Sequence, residues 1–319
     1  MTSETSAYAS FYNTLIDQQT WTFIERTNQW YPPDTIDFSM QKQREIYNAM
    51  CREFHSGYPA GVTASDDTII TGDHHIAVRR YSFDNKASAT RVIYFHGGGF
   101  VVGGLASHDD VCADICATTG LDVTSIDYRL APEHLHPCAM HDSLAGVLHE
   151  YRKFKTPLIL CGDSAGGNLA AAVSHKLRDM DSTVSIAGQV LIYPALGGDT
   201  TKGSYIRHAN APMLSSRDIE FYSTIRTGNK VHTDVVSLAP LLDDNFASLP
   251  DTITFSAECD PLADDAQIYV EIIKAAGGNA TWYNEKGLVH GYLRARSSVD
   301  RARDSFKRIT DSLRYLADH

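Results

Sequence analysis

The sequence predicts an α/β fold: a mostly parallel central sheet covered by helices on both faces. Three observations carry that reading. Short apolar runs alternate with helical patterns along most of the chain, which is how a parallel sheet wound on both sides reads. Two of those runs end in glycine-rich turns that open helices, His96-Gly-Gly-Gly-Phe100 and Gly162-Asp-Ser-Ala-Gly166. The 319 residues, 43% of them apolar, are enough to build one large domain around a sizeable core.

The elements follow in order. Residues 1–60 carry amphipathic stretches at 8–23 and 41–54 around the breaker Trp30-Tyr-Pro-Pro33, and read as two or three helices. From about residue 69 strands and helices alternate. Residues 76–83 alternate in polarity, as a half-exposed antiparallel edge strand does. Residues 91–95 are a short buried strand. Residues 107–119 are a helix with Ser107 as N-cap, acids in the first turn and Gly120 just beyond. Strand 122–126, helix 140–151 and strand 158–161 lead to the turn at Ser164. Strands 189–193 and 252–257, helix 265–276, strand 280–283 and helix 299–316 complete the pattern. Between 197 and 234 it lapses into Gly, Ser and Thr around a helical 216–224, an insertion above the sheet. The chain thus divides into an N-terminal helical segment, 1–60, and a larger domain, 61–319, with the insertion around 198–233.

Composition narrows the function. The formal net charge of −11, with no basic patch to offset it, argues against a nucleic acid or an anionic membrane as partner. The first residues carry no basic n-region or apolar h-region, and no apolar run approaches the ~20 residues of a membrane span. Six scattered cysteines without a Cys-x-x-Cys pair suit buried thiols in a reducing compartment. The expectation is a cytoplasmic protein.

The chemistry centres on Ser164. A Gly-x-Ser-x-Gly that closes a strand and opens a helix is a nucleophile elbow, a turn sharp enough to hold the serine in a strained conformation with its hydroxyl above the sheet edge. His96–Phe100 stands where an α/β-hydrolase places the second part of its oxyanion hole, since glycine bares main-chain N–H groups; the N–H of Ala165 is the other donor. Rival glycine readings fail on spacing. A dinucleotide fingerprint from Gly97 needs Gly or Ala at Val102, and a P-loop from Gly98 to Gly103 needs Lys-Ser or Lys-Thr where Gly104-Leu105 stands.

Serine needs a histidine to take its proton and a carboxylate to orient that histidine, in the chain order Ser, acid, His. Of 14 histidines, only His290 and the terminal His319 lie beyond the last strand–helix junction, so His290, in a short loop after strand 280–283, is the base. Asp260, at the carboxyl end of strand 252–257, is the favoured acid. Glu258 is the alternative, while Asp264 and Asp265 are expected to cap the next helix.

Four blocks in order, His96-Gly-Gly-Gly-Phe100, Asp127-Tyr-Arg-Leu-Ala-Pro-Glu133, Gly162-Asp-Ser-Ala-Gly-Gly167 and Asp260-Pro-Leu262, closed by His290-Gly-Tyr292, resemble the bacterial hormone-sensitive-lipase-like esterases, which include the acetyl esterases. The resemblance spans roughly residues 75–315. It implies an α/β-hydrolase fold with a helical cap made by the N-terminal residues and the insertion. It also implies Ser164, Asp260 and His290 as a triad, main-chain donors at Gly98, Gly99 and Ala165 (Gly97 being a weaker candidate), and short acyl esters, acetyl to hexanoyl, as substrates. Arg129, Glu133 and Asp163 take bracing roles. The chain departs from the family at His136, where an aromatic residue is usual, and at Ala263-Asp264, where Arg-Asp is usual.

The expected activity is a serine carboxylesterase working through an acyl-enzyme on a small-molecule ester, with no metal or organic cofactor. The alternatives are an amidase or peptidase on the same scaffold, and a non-catalytic ligand-binding protein of this fold. An exposed last strand, 280–283, offers an edge for a homodimer.

Overall fold

The fold was analysed in a computed structural model that describes residues 11–72, 74–84, 88–180 and 183–319. Eight strands form one sheet: β1 (Val62–Ile70), β2 (His75–Phe83), β3 (Arg91–Phe95), β4 (Asp122–Ile126), β5 (Leu158–Asp163), β6 (Ile186–Ile192), β7 (Thr252–Cys259) and β8 (Ala280–Val289), in the order β1-β2-β4-β3-β5-β6-β7-β8. β2 runs antiparallel to both neighbours, and every pairing from β4 to β8 is parallel. The long helices are α1 (Gln18–Trp30), α2 (Met40–Phe54), α3 (Asp109–Thr119), α4 (Cys138–Phe154), α5 (Ala165–Asp179), α6 (Ser216–Thr227), α7 (Ala263–Ala275) and α8 (Asp300–Asp318). This is the α/β-hydrolase arrangement.

The central strands are rich in buried apolar residues because both faces are covered. Successive side chains enter opposite cores: Val92 and Tyr94 of β3 join Ile159 and Cys161 of β5 on one face, while Ile93 and Phe95 join Leu158 and Leu160 on the other. The first core is closed by Phe23, Met50, Ile115 and Leu313 from α1, α2, α3 and α8. The second is closed by Met140, Leu169 and Ile273 from α4, α5 and α7. Of the six free cysteines, Cys51, Cys112, Cys116, Cys161 and Cys259 are buried. Among the described residues no helix is long and apolar enough to cross a membrane.

Several expectations need correction. Strand 76–83 is not an edge, because β1 lies outside it. β1 lacks an apolar signal: only Val62 and Ile69 are buried, and ion pairs to β2 (Arg79–Asp66, 2.6 Å; Arg80–Asp67, 2.5 Å) hold it instead. The N-terminal stretch 8–23 is two pieces: residues 11–15 are helical, and α1 begins anew at Gln18 with Asp17 accepting from the Thr20 amide, while 8–10 lie outside the described residues. Ser107 does not cap α3. It closes a 3-10 turn by bonding both the amide and the carbonyl of Gly104. The last strand runs on to Val289 through a bulge opposite Glu258, so His290 follows it directly.

Asp264 and Asp265 likewise do not cap α7. They reach across to the segment after β6: Asp264 accepts from the Ser204 amide (2.8 Å), and Asp265 Oδ2 accepts from the amides of Leu196 (2.8 Å), Gly197 (3.1 Å) and Gly198 (3.4 Å) and from the Tyr205 hydroxyl (3.1 Å). Its Oδ1 is buried with no partner among the described residues.

At the turn from β5 into α5, Ser164 is held at φ 55°. A Cβ on Gly166 would strike the Phe95 carbonyl, so helix and strand approach this closely only with glycine there.

Two outcomes follow. Gly166→Ala gains about 1 kcal/mol of helix propensity but forces backbone apart, and a net loss of about 2–3 kcal/mol is expected in urea unfolding; unchanged stability would refute the contact. Burial raises the Asp265 pKa to about 7, although the amides it binds oppose the rise. A raised acid stabilises the fold below its unfolded value of ~4, and that contribution disappears as pH climbs through about 7. Asp265→Asn removes this titration, so the stability of the variant relative to wild type should improve as pH rises from about 4 to 8. A difference independent of pH would count against it.

Candidate active site

Three side chains that follow the carboxyl ends of β5, β7 and β8 meet above the sheet. Ser164 Oγ lies 2.8 Å from His290 Nε2, and His290 Nδ1 lies 2.7 Å from Asp260 Oδ2. A carboxylate only accepts, so Nδ1 carries the hydrogen and Nε2 is left to accept from the serine hydroxyl. Asp260 is fully buried, and its other oxygen accepts from the Leu262 amide at 2.9 Å. The Tyr193 ring packs against the imidazole with centroids 4.8 Å apart.

Glu258 is turned elsewhere. It accepts from Lys286 Nζ and from the Gly287 amide, both at 2.8 Å. Burial works against its charge, yet these two partners hold its carboxyl below the ordinary range. It makes no hydrogen bond to His290 among the described residues.

The glycine loop separates its own members. Gly97 donates its amide to Asp163 Oδ1 at 3.0 Å and is consumed by that bond. The amides of Gly98, Gly99 and Ala165 donate to no group among the described residues. Gly98 and Gly99 face the same cavity as Ser164 and His290. Gly99 has φ 60°, and a Cβ there would lie 2.5 Å from the Tyr222 ring of α6, so only glycine lets that ring sit against the loop.

Asp163 is the brace beneath this arrangement. Oδ1 also accepts from the Tyr94 hydroxyl (2.8 Å), and Oδ2 faces His108 Nε2 (3.3 Å) and the Tyr193 hydroxyl (3.4 Å). Burial opposes its charge, but His108 and these donors hold its carboxyl well below the usual range. Sequence reasoning did not find Tyr94, His108 or Tyr193 as its partners, because they come from three distant segments. His96 bonds the Gly97 carbonyl through Nδ1 (2.8 Å) and stacks on Tyr128. Burial pulls its pKa down to about 3, so it is neutral.

The second motif block is structural, as expected. Arg129 is bidentate to Asp142, and Glu133 pairs with Arg44 of α2, whose guanidinium also binds the carbonyls of Val101 and Ala131. The departure at His136 has a local reason: its ring meets Ser237 Oγ at 3.1 Å and its amide bonds the carbonyl of Arg226, at the end of α6. Arg226 itself lies 3.5 Å over the ring of Phe100.

A cavity of about 430 Å³ opens on Ser164. Thr27 and Asn28 of α1, Met50 of α2 and the segment 210–215 supply walls, and the Tyr31 and Tyr222 hydroxyls join at 2.9 Å between the N-terminal helices and α6. No group of His, Cys, Asp and Glu among the described residues is arranged to hold a metal ion.

Comparison with known proteins identifies the fold and the family. A family model described as alpha/beta hydrolase fold matches residues 92–294. The chain is 37% identical over 239 residues to Esterase LipI of Mycobacterium tuberculosis, across 73% of this chain and 74% of that one. It is 28% identical over 260 residues to Ethyl acetate hydrolase of Pseudomonas putida, across 78% and 81%. Among solved structures, ester-hydrolase EH1AB1 from the metagenome of Lake Arreo superimposes with a TM-score of 0.87 at 26% identity, covering 96% of this chain and 99% of that one. Motif order, strand topology and these likenesses together make the chain a member of the hormone-sensitive-lipase-like family of bacterial carboxylesterases.

Proposed function

We propose that this protein is a serine carboxylesterase acting on short-chain acyl esters, acetyl to hexanoyl, through an acyl-enzyme. The unbroken hydrogen-bonded series Asp260–His290–Ser164, opening on a cavity, is the observation that carries the reading. Ser164 Oγ attacks the ester carbonyl as His290 Nε2 takes its proton, and Asp260 stabilises the imidazolium that forms. The free amides of Gly98, Gly99 and Ala165 receive the developing oxyanion; one such donor typically accounts for about 2.7–4 kcal/mol of transition-state stabilisation. His290 then returns the proton to the departing alcohol, and water enters by the same route in reverse to release the acid. In this reading residues 1–60 and the insertion 198–233 form a cap over the larger domain, and their side chains bound the acyl pocket. The name of the Pseudomonas putida relative, an ethyl acetate hydrolase, supports the preference for small esters.

Ser164→Ala is expected to lower kcat on p-nitrophenyl butyrate by about 10³-fold or more while the protein stays folded. Asp260→Asn should cost about 10⁴-fold and Glu258→Gln less than about threefold; a reversed order would move the acid to Glu258. Across p-nitrophenyl acetate, butyrate, hexanoate and palmitate, palmitate as the best substrate would reject the short-chain preference.

A further inference from the structure

The cavity that opens on Ser164 contains a cation for which the proposed reaction has no use. Arg294 sits on the 3-10 turn Tyr292–Ala295, four residues after His290, and lines the cavity with Tyr47, Asp163 and His290. A guanidinium carries five N–H groups. Two are spent: Nη1 donates to the Ser107 carbonyl (3.1 Å) and Nη2 to the Tyr47 hydroxyl (2.7 Å). The Nε–H and the second hydrogens of Nη1 and Nη2 have no partner among the described residues.

The arginines that follow in the chain are treated differently. Arg296 is held by Asp110 and Asp114, Arg301 by Asp17, Arg303 by Asp300, Arg308 by Glu285 and Arg314 by Asp311. Arg294 has no carboxylate within 4.0 Å among the described residues. Arg226 also lacks one, but it gives its hydrogens to Asn168 and the carbonyls of Ser237 and Leu238 and does not line the cavity. Asp163 shares the cavity wall, but its oxygens already face Tyr94, Gly97, His108 and Tyr193.

Met50, Val102, Val111 and Leu293 make much of the remaining wall apolar. The buried charge of Asp163 offsets that of Arg294 from a distance, but no carboxylate is bonded to it, and the planar N–H fork of a guanidinium suits a carboxylate better than any neutral acceptor. We propose that Arg294 is a specificity residue that receives a carboxylate on the substrate, so that the site takes short esters bearing a second, free carboxylate: monoesters of dicarboxylic acids. The two bonds to Ser107 and Tyr47 fix the guanidinium, and its unspent edge reads the ligand. This inference rests on the esterase reading of the same cavity.

The experiment compares kcat/KM for monomethyl succinate, glutarate and adipate with methyl butyrate, valerate and hexanoate, their uncharged counterparts. Wild type is expected to favour at least one acid ester over its counterpart by about tenfold or more. Arg294→Met should lower kcat/KM for that ester about tenfold more than for the neutral one, with part of the difference restored by Arg294→Lys. No preference in wild type, or an equal loss on both series, overturns the proposal and leaves Arg294 as a structural pin. Wild type alone supplies a second readout, which does not depend on a variant folding. Succinate or glutarate should inhibit p-nitrophenyl acetate hydrolysis competitively and more strongly than butanediol or pentanediol, and equal inhibition overturns the proposal. Hydrolysis of p-nitrophenyl acetate that is lost in Ser164→Ala is the control for the underlying reading. Its absence rejects esterase action itself, whereas its presence without acid preference rejects only the role of Arg294.

Discussion

The site is organised around one buried negative charge. Asp163 lies between the elbow and the glycine loop, and a carboxylate so placed is tolerated only when its oxygens are fully used. Tyr94, Gly97, His108 and Tyr193 supply the donors, and each donor ties down a different part of the site. Gly97 is held by its amide, which aligns the chain so that the next two amides remain free. Tyr193 is held at its hydroxyl, with its ring against His290. The residue before Ser164 thus sets the loop opposite it and the aromatic wall beside His290.

Much of this was legible in the sequence where the determinant is local. A strand running into Gly-Asp-Ser-Ala-Gly dictates its own turn, because a Cβ at Gly162 would strike the backbone of Gly166 four residues on. The central strands could be read because both faces are buried and most of their residues are apolar. β1 could not. Val-Thr-Ala-Ser-Asp-Asp-Thr-Ile-Ile has the composition of a loop, and what makes it a strand is a nine-residue ladder with β2, to which two arginines add ion pairs.

Within the site the boundary falls in the same place. Ser164 and His290 follow from motif and chain order, but Asp260 and Glu258 stand two residues apart and share one chemistry. They are separated only by the bulge in β8, which brings the Gly287 amide and Lys286 to Glu258 and leaves Asp260 facing the imidazole. Asp264 and Asp265 look like helix caps by position. Their partners sit some sixty residues away, on the segment leading into the insertion, and no local pattern announces them. The unspent edge of Arg294 was equally hidden, since Tyr47 and Ser107 determine which of its hydrogens are free.

The contact between Tyr222 and Gly99 has a consequence for how such a protein diversifies. The ring belongs to a helix that lines the cavity, and it packs directly against Gly99, whose amide is a donor to the oxyanion in the proposed reaction. In the proposed esterase, selectivity and turnover are therefore mechanically geared. A substitution in that helix that admits a bulkier guest also shifts the backbone beneath it, so new preferences arise together with altered speed, and drift in one property drags the other along.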